Sequence, residues 1–166
     1  TPVAMLAPMA IAYEYRPGVL YLNVTNRCSN DCVFCVRQGP GYSLGGVDLR
    51  LQGEPDAAEV QHEITRAEQA RGGPFSEVVF CGFGEPTLRL AVLIDTARHI
   101  KCNGGRVRVN TDGLANLVNK RNVLPEMAGC VDALSVSMNA QNAALYQRHC
   151  DPALPGSFAA MQAFLR

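Results

Sequence analysis

The chain has 166 residues, with 15 basic and 15 acidic side chains and a formal net charge of zero. That length fits one domain, and 48% hydrophobic against 18% charged residues excludes intrinsic disorder. Zero net charge gives no global pull towards nucleic acid or an anionic membrane, and no apolar run approaches the ~18–20 residues of a membrane span.

In chain order, 1–11 is apolar but carries no Lys or Arg, so it makes a poor signal peptide. It lacks an initiating Met, which suggests a trimmed start, and 1–18 is expected to be an N-terminal extension. Residues 19–25 (VLYLNVT) alternate apolar and polar with β-branched and aromatic members, which predicts a strand. A cysteine cluster follows at once, and the glycine-rich stretch 38–53 reads as loop. Pro55 and Asp56 open a helix with Ala57, Val60, Ile64 and Ala67 on one face, stopped by Gly72, Gly73 and Pro74.

The rhythm then repeats. A short strand is predicted at 77–81 (EVVFC), a helix over 88–102 with Leu90, Leu93, Ile94 and Ala97 on one face, and a strand at 106–110 (RVRVN). A weak helix over 114–121, a strand over 131–138 (VDALSVSM) and a helical stretch from Ser157 complete the pattern, and the sequence ends at Arg166. Strands alternating with helices predict an α/β fold with a parallel sheet covered on both faces. Ligands in such sheets bind at the carboxyl ends of the strands. The cysteines, Gly82–Glu85, Asn110–Gly113 and Ser137–Asn139 all fall at such ends.

Seven cysteines is a high count, and an odd number cannot be fully paired within the chain. Cys28, Cys32 and Cys35 lie on one loop, whereas Cys81, Cys102, Cys130 and Cys150 are scattered and read as core or incidental thiols. A tight cluster without a secretory signal reads as metal or redox chemistry. Three thiolates can hold three irons of a [4Fe–4S] cluster and leave the fourth open to a small molecule. A zinc site would want four ligands, commonly as two spaced pairs, and no second pair is present. Glu85 after the 77–81 strand could set a carboxylate beside a cationic amine, or simply cap a helix N-terminus. Asn110–Gly113 could equally be a plain turn. His62, His99 and His149 read as surface residues.

The run Asn23-Val-Thr-Asn-Arg-Cys28-Ser-Asn-Asp-Cys32-Val-Phe-Cys35 resembles the cluster loop of the radical S-adenosylmethionine (SAM) superfamily. The flanking Asn-x-Thr-Asn-x-Cys and Phe-Cys-Val-Arg are similar to the TatD-associated radical SAM proteins. The resemblance implies a partial parallel (β/α) barrel of radical SAM type over 19–166, with about four of the six usual βα units and an incomplete C-terminus. It implies that Cys28, Cys32 and Cys35 hold a [4Fe–4S] cluster whose open iron chelates SAM. An electron from the cluster would cleave SAM to methionine and a 5′-deoxyadenosyl radical, which takes hydrogen from an unidentified substrate. Phe34 would touch adenine; Gly82, Gly84 and Glu85 resemble the element that binds the SAM amino group, with Phe83 in place of a glycine. Asn110, Asp112 (where Asn is usual), Ser137 and Asn139 resemble further cofactor contacts, and Arg37 would hold an anionic substrate or the SAM carboxylate.

The implied class is an oxidoreductase or lyase in the cytoplasm, reduced by a low-potential donor such as flavodoxin or ferredoxin. It would have no membrane partner and no evident nucleic-acid surface. Two alternatives share the cysteines: an iron–sulfur electron-transfer or scaffold protein, and a nucleotide-modifying radical SAM enzyme of deazaguanine carboxylate synthase type. A zinc-binding interaction module is a further alternative.

Overall fold

The computed structural model describes residues 11–39, 43–44 and 46–166. The apolar 1–10 segment and part of the 38–53 loop lie outside the described residues. The main sheet has five strands, β1 (Ala12–Arg16), β2 (Val19–Leu22), β5 (Glu77–Phe80), β6 (Val107–Thr111) and β7 (Ala133–Val136), in the spatial order β1-β2-β5-β6-β7. A second ribbon pairs β3 (Ser43–Leu44) with β4 (Val47–Asp48). The four strands from β2 to β7 run parallel, as alternation with helices predicts. β1 is an addition that the strand pattern did not predict. It pairs antiparallel with β2 across a turn at Gly18 (φ 80°), where Tyr13 stacks on Tyr21 with ring centroids 5.5 Å apart.

The helices are α1 (Ala57–Arg71), α2 (Leu90–Cys102), α3 (Ala115–Asn119), α4 (Leu124–Ala128), α5 (Ala143–Cys150) and α6 (Ser157–Phe164). α1 starts where Asp56 and Glu59 form a reciprocal capping box and ends at Gly72 in the left-handed conformation, so its limits follow from local chemistry. Short α4 and α5 lie where the periodicity gave no helix.

All the principal helices pack on one face of the sheet. Leu20, Leu22, Val78, Phe80, Val107 and Val109 point to that side and meet Val60 and Ile64 of α1 and Leu93, Ile94 and Ala97 of α2. Fully burying one such Leu or Val is worth about 1.5–3 kcal/mol. The alternate residues form the opposite, concave face, which differs from the two-sided covering expected. Part of it is apolar, where Tyr13, Tyr21 and Val79 lie with Leu49 and Phe83 under Leu44 and Val47 of the ribbon. Further across, the same face carries Arg108, Asn110 and Ser135, since Arg108 sits between inward Val107 and Val109 and Asn110 registers with Ser135.

Candidate functional site

The site lies where β2, β5 and β6 end. The chain leaves β2 through Asn23, which is buried; its amide donates to the Leu49 carbonyl (2.5 Å) and its oxygen accepts from the Phe83 amide (3.2 Å). Asn26 exchanges a pair of hydrogen bonds with the Leu51 backbone. Glu54 takes the Thr25 hydroxyl (2.5 Å), the Arg27 guanidinium (2.7 and 3.0 Å) and Arg89 (3.1 Å). These three polar residues fix both strands of the loop's stem. Of these, Glu54 did not stand out in the sequence, because it belongs to no motif and its partners lie 27 or more residues away.

On the loop, Cys28, Cys32 and Cys35 are half-buried and free. Desolvation raises the Cys28 thiol to about 11, against a backbone hydrogen bond from Asn30 that lowers it. Cys32 is pushed up to about 12, by burial first and then by its contact with the Cys150 thiol and the nearby Cys28 and Cys35. Cys32 thus lies close enough to both Cys28 and Cys35 to sense them electrostatically. Metal binding at such thiols must release protons. The far side of the loop is stitched to the end of α5: Asp31 N–H donates to the Cys150 carbonyl and Val33 N–H to that of His149, both at 2.9 Å. Cys150, read from sequence as a core or incidental thiol, is a core one, buried beneath the loop.

Phe34 is exposed, as are its neighbours Val33 and Val36. Arg37 braces the loop from within, donating to the carbonyls of Asn26 (3.1 Å) and Asn30 (3.2 Å) and pairing with Asp31 at 3.7 Å. Its guanidinium is engaged by the loop itself.

The turn after β5 is wedged against this loop. A Cβ on Gly84 would lie 2.9 Å from the Arg27 nitrogen and closer to the carbonyls of Thr25 and Arg27; one on Gly82 would lie 2.6 Å from Asn23 Cβ. The Glu85 N–H donates to the Arg27 carbonyl at 2.8 Å. Only glycine permits that approach.

Glu85 and Asp112 make a buried acidic pair. Glu85 Oε1 accepts from Thr87 N (3.0 Å), Thr87 Oγ1 (2.6 Å) and Thr111 Oγ1 (2.8 Å), while Oε2 accepts from Asp112 N (2.8 Å). Glu85 thus does cap the turn at 86–89, the second role its position offered, and its carboxyl is also hydrogen-bonded to the Asp112 side chain. Asp112 accepts from Ser29 Oγ (2.5 Å) and Leu114 N (2.9 Å), tying the cysteine loop to the end of β6. Burial raises both carboxyls, and Asp112 raises Glu85 further. No basic side chain offsets the pair among the causes of either shift. Two carboxyls buried together without a cation favour a cationic ligand beside them.

Asn110 faces the concave side, where its oxygen accepts from Arg108 (2.8 Å) and its side chain bonds the Cys81 thiol. Ser137 and Asn139 are exposed beyond β7, with Asn139 at φ 55°. The structure gathers Gly82, Gly84, Glu85 and Asp112 tightly against the cysteine loop, whereas Ser137 is tied to the neighbouring β6 end through its N–H to the Thr111 carbonyl at 2.9 Å, and Asn139 lies exposed beyond it.

Among the described residues, no three His, Cys, Asp or Glu side chains converge where one metal ion could sit. Convergence on one point is what zinc requires, whereas each thiolate of a cubane takes its own iron. Three free, half-exposed thiols on one loop fit that second demand. The buried Asn30 Oδ1, which has no partner among the described residues, marks unused polar capacity in the same loop. No helix among the described residues is long and apolar enough to cross a membrane.

A family model described as "Radical SAM superfamily" matches residues 22–154. Among solved structures, one of TYW1 with a lysine–pyruvate adduct bound aligns with TM-score 0.61 and 15% identity over 89% of this chain and 50% of that one. A radical SAM methyltransferase from Sphaerobacter thermophilus aligns with TM-score 0.62 and 21% identity over 92% of this chain and 44% of that one. The chain therefore spans about half the length of these structures, and at such identities the likeness concerns the fold. No curated protein matches.

Proposed function

The chain belongs to the radical SAM superfamily, whose members are enzymes, and from that premise we propose that it uses SAM for radical chemistry on a small-molecule substrate. Its cofactors are a [4Fe–4S] cluster and SAM, and enzymes of the family need a reductant. The α/β sheet with its parallel core is the family's fold, and we read it as a partial (β/α) barrel with four βα units.

The observation that carries this reading is the wedge between the cysteine loop and the Gly82–Glu85 turn, backed by a buried acidic pair that no side chain among the described residues joins in a salt bridge. Cys28, Cys32 and Cys35 would hold the cluster as thiolates. When bound, that cluster supplies an electron to the sulfonium of SAM, releasing methionine and a 5′-deoxyadenosyl radical that abstracts hydrogen from the substrate. Glu85 and Asp112 would offset the positive charge of the SAM ammonium. Gly82 and Gly84 let backbone carbonyls approach it, and exposed Phe34 offers a face to the adenine. Asn110, Ser137 and Asn139 complete the proposed cofactor contacts. Arg37 holds the loop in shape through the Asn26 and Asn30 carbonyls. Within the superfamily, Phe34-Cys35-Val36-Arg37 supports placement beside the TatD-associated proteins. A cytoplasmic flavodoxin or ferredoxin suits the reductant's role.

The alternative of a plain electron-transfer or scaffold protein shares the cysteines but gives no use to a buried acidic pair at the loop. Electron paramagnetic resonance of the anaerobically reconstituted, dithionite-reduced chain separates the two. A [4Fe–4S]⁺ signal that SAM reshapes supports the proposal, and a cluster signal indifferent to SAM refutes it.

A further inference from the structure

Arg108 is a charged residue near the start of an interior strand, the second residue of β6, and it lies on the face opposite the α1 and α2 packing. Its side chain is only 22% exposed. Nε donates to Glu77 Oε2 at 3.1 Å and Nη1 to Asn110 Oδ1 at 2.8 Å, while Nη2 donates to nothing among the described residues. Glu77 does not cancel this charge alone, because it also pairs with Arg106 at 3.4 Å. Two guanidinium groups on one carboxylate leave one positive charge in excess. A purely structural pair would need a single arginine.

The surroundings suit a ligand. Ala133, with only a methyl side chain, is opposite Arg108 on β7; the next row towards the strand ends holds Asn110 opposite Ser135, an exposed residue. Cys81, at the end of β5, bonds Asn110 from the other side. The arrangement is also polar along its length. The strand end carries the acidic pair, and Arg108 lies four residues deeper than Asp112, which at ~3.3 Å per residue is about 13 Å. An acidic group is repelled from the strand ends and drawn inwards to Arg108. Asn110 and Glu77 hold the fork fixed, so less side-chain freedom is lost on binding.

We propose that Arg108, with Asn110 and Ser135, is the anion subsite of the substrate, and that the substrate is a small organic acid. Its carboxylate or phosphate sits at Arg108, and its reacting carbon lies some 10 Å away, towards the strand ends. This rests on the radical SAM reading, since it assigns the other end of the molecule to that site.

The test uses the cluster-loaded, SAM-bound protein labelled with ¹⁵N-arginine, with the Arg108 Nε–Hε signal identified by its absence in Arg108→Lys. Acetate and inorganic phosphate are titrated in separately at ionic strength held constant with chloride. A saturable shift with acetate identifies a carboxylate, one with phosphate a phosphate ester, and one with both an acid of either kind. Ser135→Ala should weaken the same titration several-fold with Arg108 still in place. A signal that follows neither anion beyond the chloride baseline overturns the subsite. Assay of 5′-deoxyadenosine in the same preparation keeps the two readings apart: SAM cleavage with a silent Arg108 sinks only the subsite, whereas its absence sinks the proposed function.

Discussion

Gly84→Ala tests the wedge between the two halves of the site. The added methyl would sit 2.5 Å from the Thr25 carbonyl oxygen, nearer still to that of Arg27, and 2.9 Å from the Arg27 nitrogen. All three are backbone atoms, so no side chain can swing aside. Either the cysteine loop moves or the turn does. Overpacking of this kind costs about 1–3 kcal/mol, and separating the segments also strains the Glu85 N–H bond to Arg27, worth about 1 kcal/mol more. A loss of about 2–4 kcal/mol corresponds to a melting point roughly 5–15 °C lower in a chain of this size. Gly53→Ala is the matched control, since its methyl would meet nothing within 4 Å and should change stability by less than about 0.5 kcal/mol. Circular dichroism melts of the two variants, with iron per chain after reconstitution, make the comparison. Gly84→Ala melting within 2 °C of Gly53→Ala and loading iron equally would refute the close approach.

The buried acidic pair and the loop's stem give two further expectations. Burial holds protons on Glu85 and Asp112 above the pH at which unfolded carboxyls lose theirs, so the folded state binds more protons in that window. Stability of the SAM-free chain from this pair therefore falls as pH rises from the ordinary carboxylate range towards neutrality. Asp112→Asn keeps an acceptor for Leu114 N and a partner for Ser29, and its melting point relative to wild type should rise steadily between pH 5 and 7.5. A difference that is flat with pH would show that the pair is not coupled to folding. Glu54→Gln removes the charge shared by Arg27 and Arg89. Its carboxylate is a third exposed and screened, so a loss of about 1 kcal/mol is expected, largest at low salt; equal melting points at low salt would remove Glu54 as the stem's clamp.

What the sequence carried was local. The cysteine spacing, the apolar runs of β2, β5 and β6 and the Asp56 and Gly72 limits of α1 each depend on neighbours within a few residues, and each is where the pattern put it. β1 escaped because Ala12–Arg16 is only five residues and gains its place by pairing with β2 across the Gly18 turn and stacking Tyr13 on Tyr21. α4 and α5 are five and eight residues long, too short for a 3.6-residue period to emerge. Within the site, the contacts that set its shape join distant positions. Ser29 to Asp112 spans 83 residues and Asn23 to Phe83 spans 60, and such pairings follow from the fold rather than from spacing. The concave polarity of Arg108 was hidden for the same reason: alternation in RVRVN shows that two faces differ, but not which one the helices leave open.

The most direct measurement of the central proposal is anaerobic reconstitution with iron and sulfide, then dithionite and SAM, with 5′-deoxyadenosine assayed by chromatography beside Cys32→Ala. Deoxyadenosine from the wild-type chain and none from the variant is the expected result. A wild-type chain that assembles its cluster yet leaves SAM intact, or equal product from both proteins, would contradict it.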